Sequence, residues 1–282
     1  MQDTIVTIYY LCDQVLEALG HQDDGQCRLS SAEVMTVPLV AALYHGGNHA
    51  LTRRFLHGHG YFKHTLSASR FCRRLAAVPQ AAWEMVMALL GQVFKEHNQS
   101  GDYAVDSMPV ASCANARIKR ARLFPETTCP RMRGYCASKK RYFYGFKVHL
   151  LVTRHGEPVE FVLTDGALHD LEGLKLLPLD IPHGSTLYAD KAYWDGREEE
   201  LLKQAGGIRF LPLRRRNARQ PLPQCLIFLA QTVRQQVETA FGQITNRLPN
   251  TIRAVSPTGF VLKLQAAVLA YAFACFMKEV AT

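Results

Sequence analysis

The sequence predicts an α/β fold: a mixed five-stranded sheet flanked by helices and preceded by an N-terminal helical domain. Apolar residues recur at helical spacing through residues 1–98. From about residue 101 the texture changes to short alternating or apolar segments interleaved with helical ones. A tight-turn signal, Arg154-His155-Gly156-Glu157, makes two of those segments an antiparallel hairpin, and helix crossovers join the later ones. The expected division is a helical domain at 1–98 and a sheet domain at 99–282.

In chain order, Ile5, Tyr9, Cys12, Leu16 and Leu19 mark the first helix, stopped by Gly20. Ser30-Ser31-Ala32-Glu33 is a capping box, and the helix it opens should kink at Pro38. Ser67 to Leu75 is a short helix with Arg70, Arg73 and Arg74 exposed around Phe71 and Leu75. Those arginines are either a helix-turn-helix DNA contact or a solvated face. Trp83, Met87, Leu90 and Phe94 stripe one more helix.

Asp102 to Val110 reads as a strand, followed by a basic insertion at about 111–143 that does not resemble packed structure. There Arg117, Lys119, Arg120, Arg122, Arg131, Arg133, Lys139, Lys140 and Arg141 face a single acid, Glu126. Such a block repels itself, and it is a solvated loop or a phosphate-binding segment. Tyr144 to Thr153 and Pro158 to Thr164 form the hairpin, with Lys147 and His149 on the face opposite Phe146, Val148 and Leu150. A short helix from Asp170, a strand at 185–190, a helix stopped by Gly206-Gly207 and a strand at 208–213 follow. Arg214, Arg215 and Arg216 open a second basic loop. A long helix then carries Val233, Val237, Ala240 and Ile244 on its apolar face, with Arg234 and Glu238 along one border. The last helix, 259–279, is mostly apolar and expected to be buried against the sheet domain. Its apolar run from Ala266 is too short to span a bilayer.

Lys and Arg outnumber Asp and Glu by 33 to 24, so a polyanionic partner is favoured. The eight cysteines include no Cys-x-x-Cys pair, which disfavours zinc and a disulfide framework and suits a cytoplasmic protein.

Three acids stand out because each lies among residues a core would bury: Asp106 on the first strand, Asp190 at the end of the fourth, and Glu238 in the long helix. A carboxylate so placed needs a partner. This order of elements and acids resembles the RNase H-like fold of DDE transposases and retroviral integrases, and more narrowly a bacterial insertion-sequence transposase. Tyr144-Gly145-Phe146-Lys147-Val148-His149-Leu150, the segment 163–170, Ala189-Asp190-Lys191-Ala192-Tyr193 and the segment 29–36 are similar to that group's motifs. The resemblance implies that Asp106, Asp190 and Glu238 are both catalytic residues and metal ligands for two Mg²⁺ ions, with Mn²⁺ able to substitute. Asp106 would bridge the ions. It further implies double-stranded DNA as partner, both terminal inverted repeats and target, cleavage to 3′-hydroxyl ends, strand transfer, and a homodimer on DNA.

The basic residues expected on DNA are Arg70, Arg73, Arg74, Arg117, Lys119, Arg120, Arg131, Arg133, Lys139, Lys140, Arg214, Arg215, Arg216 and Arg234. His149 and Asp170 are candidate supporting residues, although Asp170 also suits a helix cap. Many relatives carry a Tyr, Arg, Glu, Lys series on the long helix. Here Gln231 and Thr245 replace the first and last, with Arg247 nearby. An endonuclease that cuts without joining, and a non-catalytic helix-turn-helix regulator, are the alternatives.

Overall fold

A computed structural model of the chain describes residues 1–136, 140–214 and 221–280. It contains two compact units, one of residues 1–90 with 243–282 and one of residues 91–242.

The first unit is helical. It holds α1 (Gln2–Ala18), α2 (Ser31–Tyr44), α3 (His49–Gly58), α4 (Ala68–Ala77), the start of α5 (Gln80–His97) and α9 (Pro257–Glu279). The expected capping box forms, with Ser30 Oγ accepting from the Glu33 amide and Glu33 accepting from the Ser30 amide. From Ser31 to Ala42 every residue of α2 except Glu33 is buried, and the helix continues through Pro38. A helix apolar on all sides is a core helix, and α1 and α9 pack on it. By length and composition α9 could cross a membrane, contrary to the shorter run read from the sequence. Its residues from Leu264 to Phe273 are buried inside this unit. It packs on α2, α1 and α4, and so is grouped with the N-terminal helices.

The second unit is a mixed sheet with β1 (Asp102–Cys113) at its centre. β3 (Arg141–Thr153) lies antiparallel along one edge of β1, and β5 (Thr186–Ala189) runs parallel along the other. β6 (Arg209–Pro212) extends the sheet beyond β5, and β4 (Pro158–Asp165) pairs with β3 as the expected hairpin. A sixth strand, β2 (Arg133–Cys136), pairs with the start of β3 and was not anticipated. It comes from the basic insertion, which is packed after all. Ile118, Phe124 and Met132 are buried, and Tyr144 Oη donates to the carbonyls of Phe124 (3.0 Å) and Cys129 (3.1 Å). Gly145 permits the close approach of β3 to the bulge in β1, since a Cβ there would sit 2.0 Å from the Val110 carbonyl. Helices α6 (Asp170–Leu174) and α7 (Gly196–Gly206) connect the later strands, and α8 (Gln224–Arg247) follows. α7 ends on Gly207 in the left-handed conformation that glycine tolerates best.

Candidate active site

Strand register brings the first two acids together. Val105 of β1 pairs with Ala189 of the parallel β5. The next residue on each strand, Asp106 and Asp190, therefore stands beside the other, one strand spacing (about 4.8 Å) apart along the sheet. Asp190 is where the chain leaves β5, the carboxyl end of a parallel strand, which is where α/β sheets place their ligands.

The third acid arrives from α8. Burial of Val233, Val237, Ala240 and Ile244 fixes the rotation of that helix and leaves Arg234 and Glu238, one turn apart, at the edge of the buried stripe. Arg234 reaches inward to all three carboxylates. Its Nη2 donates to Asp106 Oδ2 at 3.2 Å and lies 4.0 Å from Glu238 Oε1, while Nη1 lies 3.8 Å from Asp190 Oδ1. Side-chain exposure rises from 14% at Arg234 and 21% at Asp106 to 36% at Asp190 and 65% at Glu238. Burial pushes the Asp106 carboxyl above its ordinary range. The Ser107 amide (2.7 Å) and Arg234 pull it down without cancelling that, and Asp190 adds to the rise.

Three carboxylates around one guanidinium leave a formal charge of −2 when ionised. An all-oxygen donor set with that deficit fits a hard divalent cation such as Mg²⁺ or Mn²⁺. Among the described residues no three His, Cys, Asp or Glu side chains are spaced to hold a metal ion as they stand.

A family model for the transposase DDE domain matches residues 96–250, more than half of the chain. The chain belongs to the DDE transposase family. The matched stretch runs from the end of α5 past α8 and so contains Asp106, Asp190, Glu238 and Arg234. No curated protein and no solved structure gives a match.

A second polar cluster braces the transposase's sheet beside Asp106. Ser107 Oγ and Lys147 Nζ both donate to Asp170 Oδ1, at 2.7 and 2.9 Å. Burial pushes the Asp170 carboxyl up, but those two hydrogen bonds and the charge of Lys147 together hold the group below its usual value. Asp170 is not the helix cap; His169 accepts the Leu171 amide instead, which leaves Asp170 for Lys147 and Ser107. His149 is fully buried, bonded through Nε2 to Thr164 Oγ1 (2.9 Å), and burial lowers its pKa to about 4, which favours the neutral ring. Tyr193, in the turn after Asp190, is also fully buried, and its hydroxyl is raised well above its normal pKa by burial and then by Asp106 and Asp170. Sequence reading passed over Ser107 and Tyr193. For Ser107 the sequence offered no signal, because its register opposite His149, which aligns it with Lys147 on one face of the sheet, joins residues far apart in the chain.

The expected DNA contacts sort by what they already hold. Arg70, Arg73, Arg117, Lys119, Arg120 and Lys140 are exposed. Arg131 and Arg133 are exposed with only loose approaches to Asp165 (3.8 Å) and Glu126 (4.0 Å). Arg74 is half-buried rather than exposed and bonded to Asp23 at 2.7 Å. Burial raises the Asp23 carboxyl, yet Arg74 and Ser31 bring it down to about 2. Arg214 donates to Glu199 at 2.8 Å and lies over the Trp194 ring. Lys139, Arg215 and Arg216 lie outside the described residues. Arg247 donates to the Gln243 carbonyl and stacks over Tyr271, so its charge is engaged within its own surroundings.

Proposed function

We propose that this transposase serves an insertion sequence: it binds terminal inverted repeats, cleaves DNA to 3′-hydroxyl ends and joins them to target DNA. The observation that carries the reading is the gathering of Asp106, Asp190 and Glu238 around Arg234 with a charge deficit of two. Those three residues would hold two Mg²⁺ ions, with Mn²⁺ able to substitute. Bound there, the ions supply positive charge to the phosphoryl oxygens during in-line displacement.

The chain's own residues supply placement. The backbone amide of Ser107 fixes one oxygen of Asp106, and Arg234 fixes the other. The Lys147–Asp170–Ser107 cluster holds the adjoining strands in register. Arg234 can exchange a carboxylate for a DNA phosphate, since a guanidinium binds either in the same forked geometry. The exposed basic residues of α4 and of the insertion hold backbone phosphates, and a homodimer brings two ends into one complex.

The test is strand transfer with a duplex carrying the element's terminal repeat and a pre-formed 3′-hydroxyl. Joined products that vanish in Asp106→Asn are expected. Cutting without joining would make the chain an endonuclease.

A further inference from the structure

A cavity of about 740 Å³ lies in the helical unit, where the start of α3 and the start of α9 face a common space. Its charge is one-sided. Arg53, Arg253, Lys263 and His49 line it, and no acidic side chain does. Arg53 is 9% exposed, gives one N–H to the Leu66 carbonyl, lies over the Phe71 ring and leaves its Nε without a hydrogen-bond partner. No carboxylate among the described residues forms an ion pair with Arg53 or Lys263, and Lys263 donates to the Arg253 carbonyl. Burial and then these two cations depress His49 to about pKa 4, so both charges act on one imidazole. Cations withdrawn from water without a counter-charge are costly, and two helix N-termini add to the same positive field.

Most of the remaining lining is apolar, with Asn48, Asn250, Thr251 and Ser256 as its polar members. Ala76, Pro249 and Leu262 contribute to it, and Val255 at its edge is 96% exposed. An inorganic anion would use little of a space this size, because pockets of about 300–1,000 Å³ suit whole organic ligands. A cationic end and an apolar wall match the phosphate and base of a nucleotide; single-strand binding sites likewise set positive charge beside side chains that cover the bases.

We infer that this cavity binds a nucleotide unit of single-stranded DNA, with its phosphate on Arg53 and Lys263 and its base against Pro249 and Val255. The inference uses none of the carboxylates and stands or falls apart from the function proposed above.

Cys72 lines the cavity and is exposed, whereas the exposed Cys225 does not line it. Iodoacetamide labelling of the full chain, mapped by mass spectrometry, therefore reports occupancy at a known place. Tetrathymidylate is expected to slow labelling of Cys72 and leave Cys225 unchanged. Lys263→Gln should raise the half-protecting concentration about tenfold and flatten its salt dependence by about 0.7 in log–log slope, the loss of one phosphate contact on a single strand. Arg253→Gln is the second variant, since Arg253 is exposed and its loss does not threaten the fold as loss of buried Arg53 does. Unchanged Cys72 labelling with tetrathymidylate would overturn the inference. So would protection equal to the parent's in both variants, or protection by inorganic phosphate or palmitate at lower concentration than by the oligonucleotide.

Discussion

Replacing Arg234 with Gln removes the one positive charge that three carboxylates share. At an effective dielectric of about 20, charges 3.2–4.0 Å apart attract by roughly 4–5 kcal/mol each. Little of that sum survives. Asp190 and Glu238 are 36% and 65% exposed, so water screens their share, and desolvation of the guanidinium opposes the rest. The Asp106 pair dominates, because both partners are largely buried. Breaking it should cost about 2–3 kcal/mol at pH 7.5, which for a chain of this size lowers the melting midpoint by roughly 4–12 °C.

The pH dependence carries a sign. The folded pKa of Asp106 lies above its unfolded value, so its contribution favours folding fully below about pH 3.9 and is lost as pH rises through the folded pKa. Arg234→Gln raises that folded value further. The deficit should therefore be largest at neutral pH and shrink as pH falls toward 4. Millimolar Mg²⁺ should restore more stability to the variant than to the parent, because the ion replaces the missing charge. A midpoint within about 1 °C of the parent at pH 7.5, or no gain from Mg²⁺, would refute the reasoning.

Glu238→Gln should leave the melting midpoint within about 1 °C, as expected for an exposed carboxylate, while strand transfer falls at least about a hundredfold in a gel assay. Asp170→Ala strands the nearly buried Lys147 ammonium and the Ser107 hydroxyl, and should cost about 2–4 kcal/mol by thermal denaturation. Gly173→Ala would place a Cβ 2.1 Å from the His149 ring, and the resulting overpacking should lower stability by about 1–3 kcal/mol with loss of the His149–Thr164 hydrogen bond by NMR.

What was legible in the sequence was whatever local pattern determines. Asp106 could be read as an acid inside an apolar strand, and Glu238 at the border of a helical stripe, because periods of two and 3.6 are visible in one segment. The pairing of Val105 with Ala189 was not legible, since parallel register is set by residues more than eighty positions apart. The meeting of Arg234 with Asp106, 128 positions apart, was hidden as well. Asp170 was read toward a cap because capping preference is local, whereas Lys147 and Ser107 compete for its oxygen from other strands. The burial of α9 followed from its composition, but composition does not say against which surface a helix is buried. β2 went unseen because Arg133 and Tyr135, both exposed, bracket a single glycine and offer no apolar alternation.

The basic insertion leaves the end of β1 and returns along β3, where Cys113 pairs with Tyr144. Six residues separate Asp106 from Cys113 at that junction, and β1 is hydrogen-bonded on both edges up to Val105. The segment is thus clasped at its base. Its exposed arginines can be exchanged while Ile118, Phe124 and Met132 keep it seated and the carboxylate frame keeps its alignment. If the insertion holds backbone phosphates as proposed, that grip can change separately from the carboxylate frame.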